Sequence, residues 1–317
     1  MSRSLIPAAV LAAAALASLP ACRTVREAAP CTGAAPGEIC ELGSGRRVTR
    51  EELLARLAAT RFVLLGESHD NEHHHRIQAE VLLALARRDG HRALAMEQLD
   101  TDDQAAIDRV LALPGRTSAA IAEAARMHHK GWDWHFYEPL VAIALREDLP
   151  VVAANLSRAA ARRVLAGGLE ALGAANVARL VLDSTWNARR EATLREAIQQ
   201  GHCGRLPADQ LPKLVLTQRA RDATTADALL GRAPAGAVVT LGRLHARNDV
   251  GVPLYLRRRD PNATIASVAL VEIGAGEDRA TDRANSAEAR PPFDYLWFTP
   301  RVERGDPCKG FSMPPAR

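Results

Sequence analysis

Apolar and polar positions alternate in blocks along this chain. Five short apolar runs each end on a polar residue. Arg61-Phe-Val-Leu-Leu-Gly66 leads into Glu67, Ser68, His69 and Asp70, and Arg92-Ala-Leu-Ala-Met96 leads into Glu97 and Gln98. Leu149-Pro-Val-Val-Ala-Ala154 ends at Asn155, Lys213-Leu-Val-Leu-Thr217 at Gln218, and Gly236-Ala-Val-Val-Thr-Leu-Gly242 opens onto His245. Unbroken apolar runs of this length predict strands buried on both faces of a parallel sheet. In such sheets ligands bind beyond the carboxyl ends of the strands, so the five polar ends predict one site.

Between the runs the spacing turns helical. Ile77, Val81, Leu82 and Leu85 fall on one face, and Arg87-Arg88-Asp89-Gly90 stops that helix. Further helical segments are predicted at 103–113, 119–129, 139–147 and 219–230. Residues 157–200 are helical throughout and read as an insertion or lid over the sheet. Thr264 to Ile273 reads as a strand, Gly274 to Arg290 as an exposed polar linker, and Phe293-Asp-Tyr-Leu-Trp-Phe-Thr299 as a last strand at a sheet edge. The predicted fold is therefore α/β, a mostly parallel central sheet flanked by helices with a helical insertion, in one domain spanning 48–304 with a tail at 305–317.

Composition narrows the function. Of 317 residues 47% are hydrophobic but only 4% aromatic, so the core is aliphatic. The formal charge of +4 is scattered, with no run of five basic residues, which argues against nucleic acid as a partner. Residues 4–18 form a short Ala-rich apolar stretch after Arg3, the pattern of a signal peptide. It ends in Leu19-Pro20-Ala21-Cys22, which resembles the lipobox of bacterial lipoproteins and predicts lipidation at Cys22, with ordinary secretion as the alternative. Within the signal segment 1–22, cleavage before Cys22 would leave the lipidated cysteine as the first residue, and 23–47 would serve as a tether to the membrane, facing periplasm or exterior. The four remaining cysteines suit an exported protein, and the simplest pairing is Cys31 with Cys40 and Cys203 with Cys308.

The chemistry gathers at the strand ends. Glu67, His69, Glu97 and His245 supply two imidazoles and two carboxylates, a ligand set used by catalytic zinc and open iron sites. If the protein is a hydrolase, one of Glu67 and Glu97 would activate water while the other joins the two histidines on zinc or manganese. The Trp132-Asp-Trp-His-Phe-Tyr137 segment is either a wall for a flat ligand or a local apolar anchor. Three consecutive histidines, His73 to His75, cannot share one helical face, and His69 with His73 or His74 with Gln78 are the pairs that line up.

Several motifs occur in one order: Gly66-Glu67-Ser68-His69-Asp70-Asn71 with His74, His75 and Gln78, then Glu97, Trp132 with Tyr137-Glu-Pro139, Asn155, Gln218 with Arg221-Asp222-Ala223-Thr224, Gly242 with His245, and Gly251-Val-Pro253. Over 48–256 this series resembles the ChaN-like, haem-binding uptake branch of the Tiki/TraB and erythromycin-esterase-like superfamily. The resemblance implies an α/β fold, a site at Glu67, His69, Glu97 and His245, and an envelope role in haem or iron acquisition, with metal-dependent hydrolases in related branches. It carries His74 and His75 over as haem contacts and allows a homodimer around a b-type haem. No motif fixes the axial ligand, for which Tyr137 is the candidate. One departure is Arg243-Leu244, where a small residue or Asn is expected; a cation there suits a haem propionate better than a bare metal.

Overall fold

The computed structural model describes residues 35–89, 92–274, 291–306 and 308–309. The predicted signal peptide with Cys22, the predicted polar linker at 275–290 and the end of the tail lie outside the described residues. Eight strands form one sheet, and they follow from the apolar runs. They are β1 (Ile39–Glu41), β2 (Arg46–Val48), β3 (Phe62–Glu67), β4 (Ala93–Asp100), β5 (Val151–Asn155), β6 (Ala237–Gly242), β7 (Ile265–Ile273) and β8 (Tyr295–Pro300). Their order is β2-β1-β8-β7-β3-β6-β4-β5. Strands β3 to β8 pair in parallel, and only the β1–β2 hairpin runs antiparallel to its neighbours.

The continuous apolar character of the central strands has a direct cause in the layering. Phe62, Leu64, Ala93, Ala95 and Val239 face one core, whereas Val63, Leu65, Leu94, Met96 and Val238 face the other. Alternate residues thus enter opposite cores, and both must be apolar. The helices that cover these faces are α1 (Arg50–Ala58), α2 (Glu72–Asp89), α3 (Gln104–Leu111), α4 (Ser118–Ala124), α5 (Trp134–Arg146), α6 (Arg158–Gly167), α7 (Ala174–Arg179), α8 (Ala188–Gly201), α9 (Leu211–Arg232) and α10 (Val252–Arg259). No helix of the described residues is long and apolar enough to cross a membrane.

Three expectations are corrected. The run at 213–217 is not a strand: it is the first part of α9, a 22-residue helix that buries Val215, Ala220, Ala223 and Ala226 along one side. Four apolar residues cannot separate a strand from a buried helical turn by periodicity alone, and the helix-forming residues that follow decide it. Strand β8 is interior, between β1 and β7, and its Leu296, Trp297 and Phe298 are buried, whereas β2 and β5 form the edges. It is covered because residues 39–48, of which 39–47 were predicted as tether, fold into the β1–β2 hairpin; Ile39 and Val48 point into the core.

The segment from 157 to 200 is largely helical, comprising α6, a short 3-10 turn at Leu169–Leu172, α7 and most of α8, but residues 180–187, expected as helix, form a turn. Cys203, just beyond α8, is disulfide-bonded to Cys308 across 105 residues, which ties this segment to the tail. Cys40 is also disulfide-bonded. Its expected partner, Cys31, lies outside the described residues.

Candidate functional site

Strands β3, β6 and β4 are neighbours, and their carboxyl ends bring Glu67, Gly242 and Glu97 together. The pairing of β4 with β5 slips between Met96 and Asp100, where four steps on β4 match two on β5. Such an irregularity re-aims side chains that would otherwise alternate. Both Glu97 and Gln98 therefore reach the site: Glu97 Oε2 accepts from the Gly242 amide at 2.6 Å, and Gln98 donates to Glu67 at 3.3 Å.

Two acid–imidazole groups face each other across Gly242. In the first, His69 Nδ1 lies 2.8 Å from Glu67 Oε1. Glu67 is wholly buried and is held by the Tyr137 hydroxyl at 2.8 Å and by Gln78 Nε2 at 2.6 Å. In the second, His245 sits between two carboxylates, its Nδ1 at 2.5 Å from Asp222 and its Nε2 at 3.1 Å from Glu97. The Gln218 amide touches the same ring. Gly242 allows this approach: a Cβ there would stand 3.0 Å from His69 Nε2 and 3.6 Å from Glu97 Oε2.

The electrostatics follow from the geometry. Burial pushes His245 down, but Glu97 and Asp222 outweigh it and hold the imidazolium up to about 10. Burial likewise raises Glu97, and the His245 charge more than reverses this, leaving it at about 2. Asp222 is the opposite case: burial lifts it to about 6, with His245 only partly offsetting the rise. His69 is pulled up despite burial by its bond to Glu67 and the charge of Glu97. Burial also lowers Arg243, and Glu272 compensates only in part.

A cleft of about 470 Å³ opens over this floor, lined among others by Glu67, His69, Gln218, Arg243, His245 and Phe293. The last turn of α8 supplies Ala197, Gln200 and Gly201 to its wall, so the inserted helices do border the site. Arg243 also lines a second cavity of about 940 Å³ beneath the tail.

The predicted residues divide into two groups. Glu67, His69, Arg243 and His245 line the cleft, and Glu97 stands behind it, bonded to the Gly242 amide and beside His245. His74 and His75 do not: both are buried in the first turns of α2. His74 bonds the Ser68 amide at 2.8 Å and Thr299 at 2.9 Å, and burial drives it down to about 3. His75 bonds the His69 carbonyl and Gln78, and stacks on Phe136 at 4.7 Å. Tyr137 is fully buried, is not among the residues lining the cleft and donates its proton to Glu67, so the axial role expected of it is corrected. Burial and the Glu67 charge push its phenol well above the usual range. The aromatic segment anchors histidines, with Trp132 edge-on to His69 at 4.8 Å.

Of the five polar run ends, Asn155 instead holds Arg221 at 2.8 Å, and Gln218 arrives from α9. Asp222 was not anticipated as a site residue. Its signal is the spacing of four from Gln218, which puts both on one side of α9 facing His245. Among the described residues, no group of three or more His, Cys, Asp or Glu side chains is arranged to hold a metal ion.

The comparisons agree with this architecture. A solved structure of ChaN from Campylobacter jejuni, titled for cofacial heme binding, superposes with a TM-score of 0.65 at 21% identity, covering 82% of this chain and 95% of that one. An erythromycin esterase, EreC, matches at a TM-score of 0.43 and 15% identity over 71% and 73% of the two chains. No curated protein matches the chain. The family model for haem-binding uptake, Tiki superfamily, ChaN, matches residues 53–256. The chain thus belongs to the ChaN-type haem-binding uptake family of the Tiki superfamily.

Proposed function

We propose that this chain is an exported, lipid-anchored haem-binding protein of the bacterial cell envelope that takes haem, in preference to bare iron, into the strand-end cleft. The observation that carries the reading is the pairing, in one cleft, of a half-exposed imidazole, His69, with a partly buried guanidinium, Arg243. The residues fit the group. The cleft volume lies in the range of small-ligand sites. Leu244, Phe293 and Ala197 add apolar surface to its lining, and His69 offers a nitrogen donor. The Arg243 guanidinium makes a single long bond, 3.4 Å to the Leu270 carbonyl, among the described contacts, which leaves donors for a propionate.

When bound, haem would supply an iron centre and a flat apolar face with two carboxylates. The chain's residues would hold and orient it: His69 at the iron, Arg243 at a propionate, and the α8 turn closing one side. Export is supported by the N-terminal apolar run ending at Cys22 and by the disulfide between Cys203 and Cys308, a bond that persists in oxidising compartments. Lipidation at Cys22 would hold the protein at a membrane.

No specific observation favours the metal-dependent hydrolase. His245 has a carboxylate on each nitrogen, Asp222 and Glu97. Haemin titration of the protein lacking residues 1–22, followed at the Soret band, tests the reading. A saturable shift is expected, and its absence would remove haem as the ligand.

A further inference from the structure

The tail after β8 is tied to the body at two points, and both lie beside the cleft. Arg304 makes the first tie. Its guanidinium grips Glu272 through two contacts of 2.6 Å and reaches Asp70 at 2.7 and 2.9 Å. Paired bonds from a guanidinium to carboxylates fix direction as well as distance. Glu272 is held in turn by the Asn71 amide at 2.5 Å, and Asp70 directly follows His69, which lines the cleft.

The second tie is the bond from Cys308 to Cys203. A turn presents Cys308, whose amide donates to Asp306 at 2.8 Å. Cys203 also ends α8. Its φ of 60° is left-handed, and the amides of Cys203 and Gly204 donate to the carbonyls of Gln200 and Gln199. Glycine is the usual residue at such a helix end, because it has no Cβ. Here a tethered cysteine holds that conformation just beyond Ala197, Gln200 and Gly201, the part of α8 that lines the cleft. Between the two ties, residues 301–306 line the cavity of about 940 Å³, and Arg243 opens onto both that cavity and the cleft.

We propose that the tail is a thiol-controlled strap on the cleft, held by Arg304 and Cys308. With the disulfide formed, the end of α8 and the loop carrying His69 are joined through one short stretch of chain, and the cleft keeps one width. A protein dithiol of the Cys-x-x-Cys class opens the bond by exchange: two electrons and two protons pass to Cys203 and Cys308, and the donor becomes the disulfide. Both cysteines are half-buried, within reach of an attacking thiolate. The last turn of α8 is then free to fray, the hold on a bound ligand weakens, and Arg304 keeps the tail on the body. The effect on ligand rests on the haem reading above, whereas the effect on α8 does not.

The test compares the wild type with Cys203→Ser/Cys308→Ser and with Arg304→Gln. In hydrogen exchange on the ligand-free proteins, the double variant is expected to open the amides of 197–204 earlier, relative to β3 and β6, than the wild type does. Arg304→Gln is expected to do so at 68–71 and to leave the α8 end as it was. In haemin titrations the double variant should bind about fivefold more weakly or more, the range of coupling between linked sites. A short pulse of a Cys-x-x-Cys protein on the folded wild type, followed by alkylation and peptide mapping, should label Cys203 and Cys308. An α8 end that exchanges in its wild-type order, a bond that resists the pulse, or unchanged haemin affinity in the double variant would each overturn the strap. A wild type that binds no haemin would overturn the haem reading alone, and the exchange comparison would still decide the strap.

Discussion

Asp222 stands 2.5 Å from Nδ1 of His245, although the two residues belong to a helix and to a loop beyond a strand. The contact exists because α9 packs on one face of the sheet beside β5, and it completes a cation held between two carboxylates. Its consequence for stability has a definite sign. His245 has a folded value of about 10 against 6.5 for the free side chain. The stabilisation is therefore full below pH 6.5 and is lost as pH rises through about 10. Asp222, lifted to about 6 from 3.8, has the same sign, its contribution being lost as pH rises between those values, so its effect is complete below the window in question. Thermal unfolding midpoints should fall between pH 7 and 10.5 in the wild type. In Asp222→Asn with Glu97→Gln that decline should flatten, and an equally steep decline would contradict the assignment.

Gly242→Ala tests the closeness of the two halves of the site. The added Cβ would meet His69 Nε2 at 3.0 Å, which requires the ring to move by a few tenths of an ångström. The ring is half-exposed and can yield, so the fold should survive with a midpoint near that of the wild type. Haemin affinity should drop several-fold. An unchanged titration curve would show that the position of His69 is immaterial.

The strands and the cleft floor were legible in the sequence for a physical reason. Strands β3, β4, β5 and β6 are buried on both faces, so each is a short block of apolar residues with a polar residue at its end. The same shortness made 213–217 misleading, because a buried helical turn looks identical until the following Ala-rich stretch is counted with it. The imidazoles were harder to sort. His69, His74 and His75 occur within seven residues, yet one lines the cleft and two are bonded inside the protein. That difference depends on Ser68, Thr299 and Gln78 meeting them in space, which spacing along the chain does not reveal.

The disulfide between Cys203 and Cys308 closes a long loop, with Cα atoms 5.6 Å apart. In the chain-entropy account a closure of this length stabilises the fold by roughly 4 to 5 kcal/mol, an upper guide. Cys203→Ser with Cys308→Ser should therefore lower the denaturant midpoint clearly while leaving far-ultraviolet circular dichroism intact. Equal midpoints would show that the loop is already ordered without the bond.

Arg243→Gln should separate the iron end of haem from its carboxylates. A charge-assisted hydrogen bond is worth about 1.5 to 3 kcal/mol, so haemin affinity should fall about tenfold or more. Haemin dimethyl ester, which has no propionate charge, should bind wild type and variant alike. Equal losses for both ligands would place Arg243 in a purely structural role.

The most direct measurement is a crystal structure of the protein lacking residues 1–22, grown with haemin, because it locates the ligand as well as detecting it. The account predicts porphyrin density in the cleft between the end of α8 and the loop after β6, with iron at His69 and a propionate at Arg243. Porphyrin bound elsewhere, with the cleft over Gly242 empty, would contradict it.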